Sequence, residues 1–389
     1  MNKQRLFHFL ILCILTFSIG QTFVPFVHAA PPDEVDLQET YIRGKVIQIT
    51  SQGMQIFHGT KSYNENLKVE LLEGKESNKV ISIAYAGDET FGVKQRIAVG
   101  DTVVVDSKPD MNSKKIFYTI YEPYRLNNFW WILAGFILLI IGVAGKKGIG
   151  ALVGLTISIL TISFYVVPQI IQGHDPLSVC IIGAIIILVL TTYVAHGISI
   201  KTTIAVIGTG LSLWIAGIIA SGSVQFLHLF GLGNEDVQNI QIGTSHPINP
   251  QGLLLGSILI GTLGALNDIT TTQSISIFTL AKENSTQHFL HLFKKGMIIG
   301  REHIASLVNT LVLAYVGTSM AIFIFFELNP AQLPWWVILN NETTMEEIIR
   351  TLIGSAALII AVPITSLIAA YMALNWDKLR EIIKGIILN

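Results

Sequence analysis

The chain beyond residue 128 consists of long apolar runs separated by short polar gaps. Each run reaches or approaches the roughly 20 residues that a helix needs to cross about 30 Å of hydrocarbon. The runs lie near residues 129–145, 149–171, 177–199, 202–222, 251–281, 296–326 and 346–373. This pattern predicts an α-helical polytopic membrane protein with about seven transmembrane helices.

Residues 41 to 125 have a different pattern, in which short runs rich in Val, Ile, Tyr and Thr are separated by Gly, Asn, Asp and Ser. Such runs are typical of strands. They lie near residues 41–50, 67–72, 79–85, 96–105 and 115–121. Five short strands at this spacing predict a small β-barrel-like domain of OB or SH3 type.

The first 30 residues combine the basic Lys3 and Arg5 with an apolar stretch and a small-residue site at Ala29, which is typical of a signal peptide. An uncleaved N-terminal anchor is the alternative. The predicted organisation is a signal peptide or anchor (1–30), an extracytoplasmic β-rich domain (31–128), a seven-helix transmembrane domain (129–375) and a cytoplasmic tail (376–389).

Lys and Arg residues between the apolar runs fall in alternate gaps, and the gaps near 172–176, 223–250 and 327–345 contain none. By the positive-inside rule the basic gaps are cytoplasmic, so the β-rich domain is extracytoplasmic and the C-terminus is cytoplasmic. With 51% hydrophobic and 13% charged residues, the expected surroundings are the lipid bilayer. The spread of basic residues argues against nucleic acid as a partner.

Asp268 is the most informative residue, because an ionisable group inside an apolar helix is costly and tends to face a cavity or a partner. At 100° per residue one helix face carries Ser257, Gly261, Gly264, Asp268, Thr271 and Thr272, whereas Asn267 and Gln273 lie off this face. The next helix has a matching polar face, with Glu302, His303, Ser306, Asn309, Thr310 and Gly317. The two helices are joined by a short loop and rise equally per residue from it. Asp268 is therefore expected at the level of Asn309 or Thr310, and His303 nearer the cytoplasm. Arg301 points elsewhere, near the cytoplasmic end.

These two faces have two interpretations. Thr, Ser and Asn alone favour interhelical hydrogen bonding. An Asp together with a His favours a site that handles protons or ions. The candidate substrate- or ion-handling residues are Asp268, His303, Asn309, Thr310, Ser306, Asn267, Thr272, Glu302 and Arg301.

Other chemistry has little support in the sequence. Arg301-Glu302-His303-Ile304 does not match H-E-x-x-H, and His288 and His291 lack further ligands, so no metal site is predicted. No nucleophile–base constellation or cofactor fingerprint is present. Enzyme activity is therefore not favoured, and the sequence names no cofactor.

Two segments resemble the YibE/F-like family of bacterial multi-pass membrane proteins. They are GTLGALND at residues 261–268 and GREHIASLVNTLVLAY at residues 300–315. After the first segment Ile269-Thr270-Thr271 stands where similar sequences carry Val and Ala. The resemblance spans roughly 125–375 and implies an integral protein of the bacterial cytoplasmic membrane and cell envelope, without an established activity.

The interpretation that joins these features is a transporter or permease for a small solute or ion, working through a polar intramembrane site. Two alternatives stay open. One is an envelope sensor or scaffold whose outside domain binds an envelope protein. The other is an intramembrane enzyme.

Overall fold

A computed structural model describes residues 40–57, 60–74, 76–88, 97–109, 116–243, 247–283, 288–329 and 331–387. The predicted signal peptide or anchor lies outside the described residues. The chain divides into two compact units between Leu133 and Ala134, one containing the β-sheet and the other the helical bundle.

The N-terminal unit contains one antiparallel sheet of five strands. The strands are β1 (Thr40–Phe57), β2 (Thr60–Leu71), β3 (Val80–Asp88), β4 (Thr102–Pro109) and β5 (Ile116–Pro123). Their order in the sheet is β3-β2-β1-β4-β5, and the two edge strands β3 and β5 approach each other. The sheet is therefore curled, and the predicted class of a small five-stranded, barrel-like domain is confirmed.

The sheet encloses its own apolar core because alternate side chains point to its inner face. Fully buried side chains come from β1, β2 and β4, namely Val46, Leu67, Val69, Leu71, Val103 and Val105. A turn at residues 98–101 leads into β4, and it is closed by the Asp101 amide, which donates to the Ala98 carbonyl over 3.1 Å. Gly100 takes a positive φ of 100°, and its amide donates to the carbonyl of Val46 over 2.8 Å.

Because the sheet has a complete core of its own, we expect the fragment of residues 36–125 to fold alone. It should be soluble and show a β-type circular dichroism spectrum. Leu67→Ala should lower its free energy of unfolding by about 2–5 kcal/mol in urea titrations, since the side chain is fully buried. Val80→Ala, at an exposed position, should change it by less than about 0.5 kcal/mol. A helical or unfolded spectrum for the unaltered fragment would contradict the expectation.

The second unit is made of helices, the first of which begins eight residues before the boundary between the units. They are α1 (Leu126–Thr161), a π-helical turn (Ile162–Val166), α2 (Val167–Ile171), α3 (Pro176–His196), α4 (Ile200–Phe226), α5 (Glu235–Gly243), α6 (Pro250–Glu283), α7 (Phe289–Thr318), α8 (Met320–Leu328), α9 (Trp335–Leu339) and α10 (Glu342–Ile387). Local chemistry sets several of the ends. For example, Pro176 opens α3 and the Asp175 carboxylate accepts from the amide of Ser178 over 2.9 Å.

Six helical stretches of the described chain are long and apolar enough to cross a membrane, close to the predicted number of about seven. The first stretch runs from Leu126 to Ile171 and contains two of the predicted segments. These segments are separated at Gly145, where φ of 56° and ψ of −133° interrupt the helix. The predicted run near 296–326 is also divided, because α7 ends at Thr318 and α8 begins at Met320.

Helix α6 is the centre of the bundle and packs against α3, α4, α7 and α10. Its buried side includes Ile258, Leu266 and Ile269, which join the largest apolar cluster of the unit. Helix α10 continues past residue 375 to Ile387, so the residues predicted as a cytoplasmic tail begin inside a helix. The central position of α6 determines which of its residues remain accessible.

Candidate functional site

One narrow stripe along α6 is exposed, although most of this helix is buried in the bundle. Gly261, Gly264, Asp268 and Thr272 are exposed, and they follow one another at intervals of three or four residues. A Cβ atom added to Gly264 would meet nothing within 4 Å. Asp268 therefore lies on an exposed stripe of the bundle surface. Towards the start of α6 this stripe consists of small residues.

Contacts on either side locate the stripe between α3 and α7. On one side the Thr192 hydroxyl of α3 donates to the side-chain oxygen of Asn267 over 2.7 Å. On the other side, a Cβ atom added to Gly261 would lie 3.4 Å from the hydroxyl oxygen of Tyr315. Thr192 lies one turn before His196, the last residue of α3. Because Thr192 bonds Asn267, the neighbouring Asp268 lies within about one turn of the level at which α3 ends.

The carboxylate of Asp268 has no hydrogen bond or ion pair within the described parts of the chain. The Thr272 hydroxyl donates instead to the Asp268 backbone carbonyl, over 2.8 Å. The titratable group that interacts electrostatically with Asp268 is His196, the last residue of α3, which also interacts with Lys147. Asp268 of α6, His196 of α3 and Lys147 of α1 thus form a chain of electrostatic neighbours.

Polar residues just off the stripe are hydrogen-bonded between helices. The fully buried amide of Gln273 donates to the Gly296 carbonyl of α7 and to the Ser366 hydroxyl of α10, over 2.7 Å each. The hydroxyls of Thr209 and Thr270 are 2.6 Å apart. These residues match the interhelical hydrogen-bonding interpretation, and Asp268 differs from them in lacking any such bond.

The polar residues predicted on α7 lie on its exposed side. Arg301, Glu302, Ser306, Asn309 and Thr310 are all exposed, and the Thr310 hydroxyl donates to the Ser306 carbonyl over 2.9 Å. The packed side of α7 carries apolar residues of the bundle cluster, namely Ile304, Leu307 and Leu311. The structure therefore does not join Asp268 to Asn309 or Thr310 by a hydrogen bond, because α7 turns its polar side away from the bundle.

His303 occupies a third position on α7. Its side chain is half-buried, and its Nδ1 atom is buried without a hydrogen-bond partner among the described residues. It is not an electrostatic neighbour of Asp268. Where side chains are described, no three of His, Cys, Asp and Glu come together as a metal-binding group.

Sequence reasoning missed His196 and Lys147. In the sequence His196 precedes Gly197 and reads as a helix-end residue, while Lys147 belongs to a basic gap. Both positions indicate the same side of the membrane by the positive-inside rule. The proximity of His196 to Asp268 depends on how α3 packs against α6, for which the sequence around His196 gives no signal.

Comparison with known proteins gives one match. A family model described as YibE/F-like protein matches residues 132–375, which cover nearly all of the six candidate membrane spans. No match was found among curated proteins or among solved structures.

Proposed function

The chain belongs to the YibE/F-like family and is a multi-pass membrane protein, and we propose that it is a permease for a small solute or ion. Asp268 binds either the transported ion or a proton that moves in exchange for the transported solute. His196 is the second titratable group of the site, and Asn267 and Thr272 line its edges. The membrane is the bacterial cytoplasmic membrane.

The unbonded carboxylate of Asp268 is the observation that carries this proposal. An ionisable side chain within a membrane span is retained at an energetic cost, and such residues commonly mark ion pathways and proton relays. A residue that only joined helices would be hydrogen-bonded, as Asn267 and Gln273 are. Asp268 instead keeps its carboxylate available to a ligand.

The neighbours of Asp268 suit the handling of charge. An imidazole can exist in a neutral and a protonated form, so His196 can serve as a second proton-binding group beside the carboxylate. His196 also interacts electrostatically with the ammonium group of Lys147. A carboxylate, an imidazole and an ammonium group that interact in this order provide successive positions for a proton or a small ion.

Proteoliposomes that contain the full chain test the proposal. A pH-sensitive dye inside the vesicles reports proton movement while gradients of Na⁺, K⁺, Mg²⁺, chloride, phosphate and small organic acids are imposed in turn. We expect at least one gradient to drive flux above that of protein-free vesicles. Flux equal to that of empty vesicles for every gradient, with the protein shown to be folded, would overturn the proposal.

The proposed orientation has a separate test. If the gaps that contain Lys and Arg lie in the cytoplasm, reporters fused after residues 240 and 340 should be located outside the cytoplasm. Reporters fused after residues 290 and 385 should be located inside it. Alkaline phosphatase and green fluorescent protein fusions in intact cells make this measurement. A reversed result at either pair would contradict the orientation, and with it the extracytoplasmic position of the β-sheet.

The sensor or scaffold is the second candidate, and exposed aromatic residues on the sheet favour it. Tyr41 and Tyr121 are 52% and 62% exposed, and their rings meet edge to face at 5.2 Å. Exposed aromatic side chains are frequent anchors of protein interfaces. A folded protein that moves none of the tested ions would leave this candidate ahead, and Tyr41→Ser/Tyr121→Ser should then abolish binding of the envelope partner.

A further inference from the structure

The polar stripe of α7 faces away from the chain's own bundle. At 100° per residue, Glu302, Ser306, Asn309, Leu313 and Gly317 fall within about 80° of one another. The packed residues Ile304, Leu307 and Leu311 are centred about 150° further around the helix. All five stripe residues are exposed, and α7 is the least buried of the six candidate spans.

Lipid cannot satisfy this stripe. Asn309 lies twenty residues after Phe289 and nine before Thr318, so its amide is at least about 13 Å along the helix from either end of the candidate span. In that region there is no water, and lipid tails cannot form hydrogen bonds with an amide. Neither Asn309 nor Glu302 has a side-chain hydrogen bond within the described residues. The stripe needs a polar partner at the same depth in the membrane.

We propose that the stripe is the interface between two copies of this chain, related by a twofold axis along the membrane normal. In such an interface each residue near the axis meets its own equivalent. The amide of Asn309 both donates and accepts, so two copies of it can bond each other. Ala305, Ser306 and Gly317 are small enough to allow close approach of the two helices.

Charge complementarity also favours a second copy. Arg301 and Glu302 are adjacent, opposite in charge and exposed, and neither forms an ion pair with a described residue of its own chain. Arg301 lies about 80° outside the edge of the stripe, so its long side chain has to reach around α7 to pair with the partner's Glu302, which lies at the same level in parallel helices. An apolar helix as partner would leave all these groups unsatisfied. The dimer does not depend on the proposed transport activity.

Cross-linking in the membrane tests the interface. Ser306→Cys in the full chain, with Cys13→Ser and Cys180→Ala, should form a disulfide-linked product of twice the monomer mass when membranes are oxidised. Ile185→Cys in the same background is the matched control, because Ile185 is exposed on α3 at 53%. We expect most of the Ser306→Cys protein and little of the Ile185→Cys protein to be linked. Equal linking of the two would overturn the proposal, as would a product of any other mass, which would identify a different partner.

Counting subunits gives an independent measurement that needs no cysteine. Fluorescently labelled full-length protein at high dilution in liposomes should bleach in two steps, and Asn309→Leu should shift the population at least about tenfold towards single steps. Thr279→Leu, which alters an exposed threonine of α6 that bonds only within its own helix, should leave two-step bleaching unchanged. Single-step bleaching of the unaltered protein would overturn the dimer even if the cysteine variants failed to fold.

Discussion

Asp268→Asn is expected to reduce ion flux in proteoliposomes by roughly tenfold or more while the protein inserts and folds normally. Asparagine keeps the shape and hydrogen-bonding capacity of the side chain but removes its titratable charge. The measurement is flux per folded molecule, with the folded amount taken from size-exclusion profiles. Glu235→Gln provides a matched control, because Glu235 is an exposed carboxylate in the first turn of α5.

The alternative interpretation of Asp268 gives the opposite result. If the residue only joined helices, asparagine would replace it with little loss, since interhelical hydrogen bonds contribute about 0.6 kcal/mol on average. Full flux of Asp268→Asn would therefore refute the proposed site and favour the sensor or scaffold.

Two histidine variants separate the site predicted by sequence from the site found in the structure. The sequence pairs Asp268 with His303, whereas the structure gives it His196 as an electrostatic neighbour. We expect His196→Ala to lower flux and to change its pH dependence, because the imidazole is a titratable group that interacts electrostatically with Asp268. The same phenotype from His303→Ala alone would favour the pairing inferred from the sequence.

The second large effect is expected from Gly300→Ala. A Cβ atom at this position would lie 2.2 Å from Cγ1 of Val362 and 3.2 Å from the amide nitrogen of Gln273, so α7 would have to move away from α10. Overpacking of this kind costs about 1–3 kcal/mol, which lowers a melting temperature by roughly 2–4 °C per kcal/mol. Thermal unfolding of the detergent-solubilised protein, followed by fluorescence size exclusion, makes the measurement.

Two companion variants test the steric cause. Gly264→Ala places the same methyl group where nothing lies within 4 Å, so it should be neutral or slightly stabilising, because alanine favours a helix over glycine. Val362→Ala removes the clashing methyl group and should partly restore the stability of Gly300→Ala. A melting temperature of Gly300→Ala equal to that of the unaltered protein would show that α7 and α10 are not packed as closely as here.

The sequence predicted the elements well because length and period are local properties. Apolar runs of about 20 residues have few alternatives to a membrane span, and the five strand-like runs correspond to β1 to β5. It also singled out residues 261–268 and 300–315, which lie inside the matched family region. The helix interruption at Gly145 also coincides with a signal in the sequence, because one predicted run ends at residue 145 and Lys146 and Lys147 follow it.

The sequence by itself determined which residues share a face of α6 and of α7, because helical period fixes their angular separation. Only the tertiary structure decided where those faces point. In a soluble helix the polar face is the outer one, but lipid tails and a protein interior are equally apolar, so this rule does not orient a membrane helix. The stripes around Asp268 and Asn309 were therefore found from the sequence, while packing placed His196 beside Asp268 and turned Asn309 outward.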